Sequence, residues 1–200
     1  MPPFAVNEDA VHEFNDRKAL ERWFAKNAAK APELWIKTHK KDSGLQSVSN
    51  AEALEVALCW GWIDAIRKPF DDKSFLQRYT PRGKRSVWST RNQGIVARLI
   101  EDGRMQPSGQ AEIDRAKADG RWARAYDGAK TMEFPSDLLA AIEDEPKAFE
   151  LFQTLNAQNR YALAFRTHHM KTEAGRKKKI ESFVQMLKRG ETIYPNGKRK

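Results

Sequence analysis

All six tryptophans of this 200-residue chain (Trp23, Trp35, Trp60, Trp62, Trp88 and Trp122) fall before residue 123, and the remaining 78 residues hold none. Indole rings carry a large apolar area with one polar edge, so wherever they cluster they line either a core or a ligand pocket. Four of them fall between Trp60 and Trp122, inside dense strings. These are Ala57-Leu58-Cys59-Trp60-Gly61-Trp62-Ile63-Asp64, then Thr80-Pro81-Arg82, then Ser86-Val87-Trp88-Ser89-Thr90-Arg91-Asn92, followed by Arg104-Met105 and Asp119-Gly120-Arg121-Trp122.

The local patterns around these strings mix strands and helices. Asn15-Asp16 offer caps for a helix over 17–29 with Leu20, Trp23, Phe24 and Asn27 at helical spacing, and Pro32 stops it. Residues 34–38 read as a short strand. Ser49-Asn50-Ala51-Glu52 is a capping box opening a helix that Gly61 ends. Residues 62–66 and 74–79 read as antiparallel strands around a Pro69-Phe70-Asp71-Asp72 turn. Ser89 caps a helix with an Ile95, Val96, Leu99, Ile100 stripe before Gly103, and Pro107-Ser108 restart one that ends near Gly120.

After a linker over 127–135 every pattern is helical. Ser136 is expected to cap Leu138 to Ile142, Pro146 to start a helix with Phe149, Phe152 and Leu155, and Asn156 to cap one with Tyr161 and Phe165. Ile180, Phe183, Val184 and Leu187 mark a last helix stopped by Gly190. The expected fold is therefore α+β: a small antiparallel sheet packed with helices over 1–128, then an all-helical part over 129–200. The chain after Gly190 is expected to be dispensable for folding.

Composition narrows the class. With 40% hydrophobic, 10% aromatic and 32% charged residues the chain reads as globular, and no run approaches the ~20 apolar residues of a membrane span. The N-terminus lacks a basic-then-apolar signal pattern, and the lone Cys59 excludes an internal disulfide or thiolate zinc cluster, so a reducing cytoplasm is expected. The net charge is +9. From Arg166 onward eleven basic residues face three acidic ones, a net +8, which leaves +1 for the first 165 residues. Any weak, non-specific polyanion contact is thus expected at Arg176, Lys177, Lys178, Lys179, Lys198, Arg199 and Lys200.

The motif strings resemble those of the YdeI/OmpD-associated, or bacteriocin-protection, family, whose members carry A-L-C-[WF]-G-W-I-D, T-P-R, S-x-W-S-x-x-N and G-R-[MW] elements. The resemblance runs from about Trp35 to Gly190 and includes a proline-started helix at Pro146 and the basic helix at Arg176–Ile180. Where members often show a Thr-Arg pair, this chain has Ala174-Gly175-Arg176, which keeps the cation. The resemblance implies an intracellular protein of tolerance to antimicrobial peptides or other stress, without a known reaction.

Read as chemistry, a strand over 62–66 puts Trp62, Asp64 and Ile66 on one face, with Arg78 opposite Asp64 and Arg82 just beyond. Trp60, Trp62, Asp64, Arg78, Arg82, Trp88, Asn92 and Arg104 then form either a pocket for a small anionic or amide-bearing ligand, or a buried Asp–Arg pair inside an aromatic core. The C-terminal helices offer a surface for a protein partner. Two alternatives stand beside this binding reading: a nucleic-acid-associated protein using the basic C-terminal segment, and an uncharacterised enzyme with Asp64 as acid/base. Cys59 is expected to be inert filler. No cofactor loop is present, and the adjacent His168-His169 point about 100° apart on a helix, so neither a cofactor nor a metal is expected.

Overall fold

A computed structural model describes residues 5–128 and 131–197. They form eight α-helices and one four-stranded sheet, and the chain divides into two compact units at Ala125/Tyr126. The class is α+β.

The first unit holds the sheet, β1 (Val11–Glu13), β2 (Leu34–His39), β3 (Trp62–Pro69) and β4 (Ser74–Pro81), in the order β1-β2-β4-β3. Three strands are antiparallel neighbours as expected, but β1 pairs parallel to β2. Three residues, Val-His-Glu, are too short for any alternation to register in the sequence. The β3–β4 ladder slips between Asp64 and Arg67. Buried Gln77 fills the gap, donating to the carbonyls of Ala65 and Ile66, both at 3.3 Å, while Arg67 Nε donates to its side-chain oxygen at 3.0 Å. Backbone acceptors left without a ladder partner are thereby satisfied.

Around the sheet lie α1 (Arg17–Asn27), α2 (Asn50–Cys59), α3 (Thr90–Glu101) and α4 (Pro107–Ala118). Asp16 caps α1 by accepting from Ala19 N, and the Ser49/Glu52 capping box on α2 is complete in both directions. Leu20 and Phe24 of α1, Leu54 and Leu58 of α2, Val96 and Leu99 of α3 and Ile113 of α4 share one core with Leu34, Ile36, Tyr79, Trp62 and Trp88. Each fully buried large apolar side chain here contributes roughly 1.5–3 kcal/mol.

One join ties the end of α2 to the start of α4. The Cys59 carbonyl accepts from Gln106 N, and the Trp60 carbonyl accepts from Ser108 Oγ. A Cβ on Gly109 would lie 2.1 Å from the Cys59 oxygen, so only glycine permits this approach. Gly61 adopts φ +77° in the left-handed region and reverses the chain into β3.

The second unit contains α5 (Ser136–Glu143), α6 (Pro146–Thr154), α7 (Ala157–His168) and α8 (Glu173–Lys188) around Leu138, Ile142, Phe152, Leu163, Ile180, Phe183 and Leu187. Pro135, not Ser136, occupies the N-cap of α5, and the Asp137 carboxylate accepts from Leu138 N instead. Asn156 caps α7 as expected.

The segment after Gly190 is tied down, contrary to the expectation that it is dispensable. Asn159, 1% exposed, donates to the Tyr194 carbonyl and accepts from Tyr194 N, while Asn156 N donates to Asn196. Ile193 packs on the same core. These bonds are side chain to backbone and leave no periodic signal in the sequence. Lys198, Arg199 and Lys200 lie outside the described residues.

Two variants test this packing. Gly109→Ala is expected to destabilise the first unit by about 2 kcal/mol or more, read by chemical denaturation, because the clash falls on backbone. A chain ending at Gly190 is expected to unfold at lower temperature than one ending at Gly197, because buried Asn159 loses its bonds to Tyr194 and Asn196 and keeps only the one to Asn156.

Candidate functional site

The eight residues expected to converge lie in five separate places in the first unit. Trp62 is in the core, 2% exposed, its ring edge-on to Trp23 and Phe24, and its Nε1 donates to the Ala28 carbonyl at 3.3 Å. Asp64 is exposed and stands opposite Tyr79, not Arg78. The ladder sets β4 one residue off the expected register, and a one-residue shift moves Arg78 to the other face. There Arg78 stands opposite Trp35 and donates to Glu33 at 2.6 Å. Burial alone would raise the Glu33 carboxyl, but hydrogen bonds from Arg78 and Asn7 hold it below the usual carboxylate range.

Arg82 is buried beyond the end of β4. Its backbone N donates to the Gly61 carbonyl, its guanidinium lies 3.7 Å from the Trp88 ring centroid, and Nη1 donates to the Val87 carbonyl. Trp88 packs on Trp122 at 4.9 Å between centroids. Asn92 is buried in the first turn of α3, its backbone N donating to the capping Ser89 Oγ at 3.1 Å. This group is packing, with Arg82 over the Trp88 ring and Trp122 tilted 56° against it. None of the clefts described below is lined by both Asp64 and Arg82.

Trp60 and Arg104 do come together. They line a cleft of about 620 Å³ between α1 and α2 with Lys18, Glu21, Arg22, Ala25, Val56, Cys59 and Gln106. Gly61 turns the chain so that Trp60 stays half-buried at this cleft while Trp62, two residues on, enters the core. Arg104 Nη1 donates to Glu55 at 3.0 Å, and Nη2 lies 3.8 Å from Glu21. The cleft's apolar lining is Ala25, Val56, Cys59 and Trp60, with Val56 and Cys59 buried and Ala25 exposed at the edge. Three lining cations, Lys18, Arg22 and Arg104, stand against Glu21 and the Glu55 that holds Arg104, so the rim keeps a positive balance of one. A ligand with an apolar body and an anionic head matches that arrangement. Burial pushes the Cys59 thiol up to about 11, against the pull of Arg104. The thiol is therefore protonated at neutral pH and serves as apolar lining.

Sequence reasoning missed Lys18, Arg22, Ala25 and Val56, which belong to helices and carry no motif. A signal existed for Lys18, Arg22 and Ala25: they recur at i, i+4, i+7 on one face of α1, but polar and small residues at that spacing read as a solvated stripe.

In the second unit a cleft of about 360 Å³ is lined by Met132, Phe134, Leu139, Phe152, Arg160, Tyr161 and neighbouring alanines. Arg160 already closes the end of α6, donating to the carbonyls of Leu155, Phe152 and Gln153. On α8, Arg176 is engaged rather than free. Its Nε and Nη2 grip both Asp137 oxygens at 2.6 and 2.7 Å, and Nη1 donates to the Thr167 carbonyl. Lys177 pairs with Glu173, Lys179 lies over the Phe183 ring, and Lys178 is exposed. Among the described residues no group of three His, Cys, Asp or Glu could hold a metal ion, and no helix is long and apolar enough to cross a membrane.

Comparison with known families divides along the same lines as the structure. Residues 12–112, just over half of the chain, match a domain of unknown function (DUF8412). Residues 131–190 match the family described as Bacteriocin-protection, YdeI or OmpD-Associated. The Ala57–Asp64 string lies in the first match, and the basic helix α8 lies in the second. No curated protein and no solved structure matches the chain.

Two measurements follow. In the folded protein Cys59 is expected not to react with a thiol-specific disulfide reagent at pH 8, where only about one thiol in a thousand is ionised, and to react fully in denaturant. Hydrogen bonds from Arg176 hold the Asp137 carboxyl below its usual range, so this contact stabilises the fold above the unfolded carboxylate's ~3.9 and is lost as pH falls through the folded value. The melting temperature of Asp137→Asn is accordingly expected to lie below wild type at pH 7, with the gap closing below about pH 4.

Proposed function

The chain belongs to the family of that domain of unknown function, which it matches over residues 12–112, and residues 131–190 are similar to the bacteriocin-protection, YdeI or OmpD-associated family; we propose that it works by binding a small anionic ligand rather than by catalysis. The observation that carries this reading is the α1/α2 cleft, where an apolar lining with one indole meets an excess of cations. The indole and Val56 would take the ligand's apolar body. Lys18, Arg22 and Arg104 would take its carboxylate, sulfonate or phosphate, with the Gln106 amide beside them for an amide-bearing group.

Arg104 is held between two carboxylates before any ligand arrives. A bound anion would compete with Glu21, the longer and more exposed of the two contacts, while the 3.0 Å bond to Glu55 keeps the guanidinium in place. The Cys59 thiol, neutral and buried in the lining, supports binding over nucleophilic chemistry at this cleft. The name of the family that residues 131–190 match supports a role in protection, which we assign to tolerance of cationic peptides or oxidative stress in a bacterial cytoplasm. Deletion of the gene is expected to change survival under one of those challenges; unchanged survival under both would contradict that assignment.

The cleft is tested with an aryl sulfonate, 8-anilinonaphthalene-1-sulfonate, whose emission rises on apolar burial. Wild type is expected to bind it with a saturable signal. Ala25→Phe, which fills the cleft from an exposed helix position, and Trp60→Ala are each expected to weaken binding tenfold or more. Equal affinity in wild type and Ala25→Phe would overturn the reading.

A further inference from the structure

The near-neutrality of the first 165 residues hides a second basic region. Residues 73–100 hold seven basic side chains (Lys73, Arg78, Arg82, Lys84, Arg85, Arg91 and Arg98) and no acidic one. Two of the seven are engaged inside the fold, Arg78 on Glu33 and Arg82 on Trp88. Lys84, Arg85, Arg91 and Arg98 are exposed and have no carboxylate partner among the described residues. On α8 three of the five cations, Arg176, Lys177 and Lys188, each face an acid, while Lys179 lies over Phe183 and Lys178 is exposed.

Lys73 is exposed as well but stands before β4; the other four follow the chain from the loop after β4 onto α3. Arg91 and Arg98, seven residues apart, lie about 10.5 Å apart along the helix axis and line the same open cleft of about 370 Å³ between α2 and α3. The one carboxylate in that cleft, Glu55, already accepts from Arg104. Between the two arginines sits Gly94, exposed in mid-helix, with nothing within 4 Å of where its Cβ would be. Glycine there costs the helix about 1 kcal/mol relative to alanine, and no internal contact requires it. A bare backbone flanked by two guanidiniums gives close access to an extended chain of negative charge.

We infer that this loop-and-helix face, Lys84, Arg85, Arg91 and Arg98 around Gly94, is a surface for the phosphate backbone of a nucleic acid. The cations are strung out along a loop and a helix instead of converging on one point, which suits a polymer better than a single anion. An anionic membrane would need an apolar anchor beside the charge; Val87, 37% exposed, is the only exposed large apolar side chain in the loop, and Ile100 of α3, 44% exposed, lies about 180° and 200° round the helix from Arg91 and Arg98. The contact would read charge and not sequence.

The test is fluorescence anisotropy of a labelled 20-nucleotide single strand and a 20-base-pair duplex. Binding of at least one probe is expected at 50 mM salt, weakening about fiftyfold at 200 mM if four cations each release ~0.7 counterion. Arg91→Glu with Arg98→Glu is expected to weaken binding at 50 mM at least tenfold with an unchanged circular dichroism spectrum. Arg91→Lys with Arg98→Lys, which keeps the charge, is expected to retain binding, as is Lys177→Glu with Lys178→Glu on α8. Absence of binding to both probes at 50 mM salt, equal affinity in the Arg→Glu variant, or an equal loss from the α8 variant would overturn the inference. So would binding to phosphatidylglycerol vesicles without binding to either oligonucleotide. Ala25→Phe, which fills the other cleft, is expected to leave oligonucleotide binding unchanged, so this surface and the small-ligand cleft fail separately.

Discussion

The end of α2 against the start of α4 is the contact on which the first unit depends. A helix C-terminus leaves carbonyls without partners, and here the Cys59 and Trp60 carbonyls are answered by Gln106 N and Ser108 Oγ. The answer requires backbone to approach backbone, which Gly109 alone permits. With α2 pinned there, Gly61 reverses the chain, Trp62 is delivered to the core, and the Gly61 carbonyl accepts from Arg82 N, fastening the far end of β4. The dense string from Ala57 to Asp64 is thus first a folding device. Its two indoles serve different ends because a left-handed glycine separates them.

This explains why the aromatic, Arg-rich strings look like a site without being a single one. Arg82, Trp88 and Trp122 belong to packing, and Arg78 is spent on Glu33. What the scaffold leaves available is the Trp60 face and the rim cations, on helices whose sequences carry no motif. The same logic sorts the charge. Cations that meet carboxylates, as Arg176 meets Asp137, hold the second unit together, whereas the exposed ones over 84–98 meet none among the described residues.

Much of the fold was legible because its signals are local. The capping box at Ser49, the cap at Asp16, Pro107 and Pro146 at helix starts and the apolar stripe of α8 each act within one or two turns. What failed to show was set by contacts distant in sequence. Strand β1 exists only by pairing with β2, the β3 irregularity is filled by Gln77 from β4, and residues 193–196 dock on Asn156 and Asn159. The site was half legible for the same reason. Trp60 and Arg104 stand in recognisable strings, but that they share a cleft with Lys18 and Arg22 depends on how α1 packs on α2. The Asp64–Arg78 pairing failed on a register shift of one residue, which periodicity alone does not resolve.

The claim that Trp60 is the one indole kept for ligand while the others build the scaffold is tested most directly by the six indole Nε1–H signals in a ¹H–¹⁵N spectrum. Titration with 8-anilinonaphthalene-1-sulfonate is expected to move the Trp60 signal progressively to saturation and to leave those of Trp62 and Trp88 in place. Movement of the Trp62 or Trp88 signal with Trp60 unaffected would contradict the account.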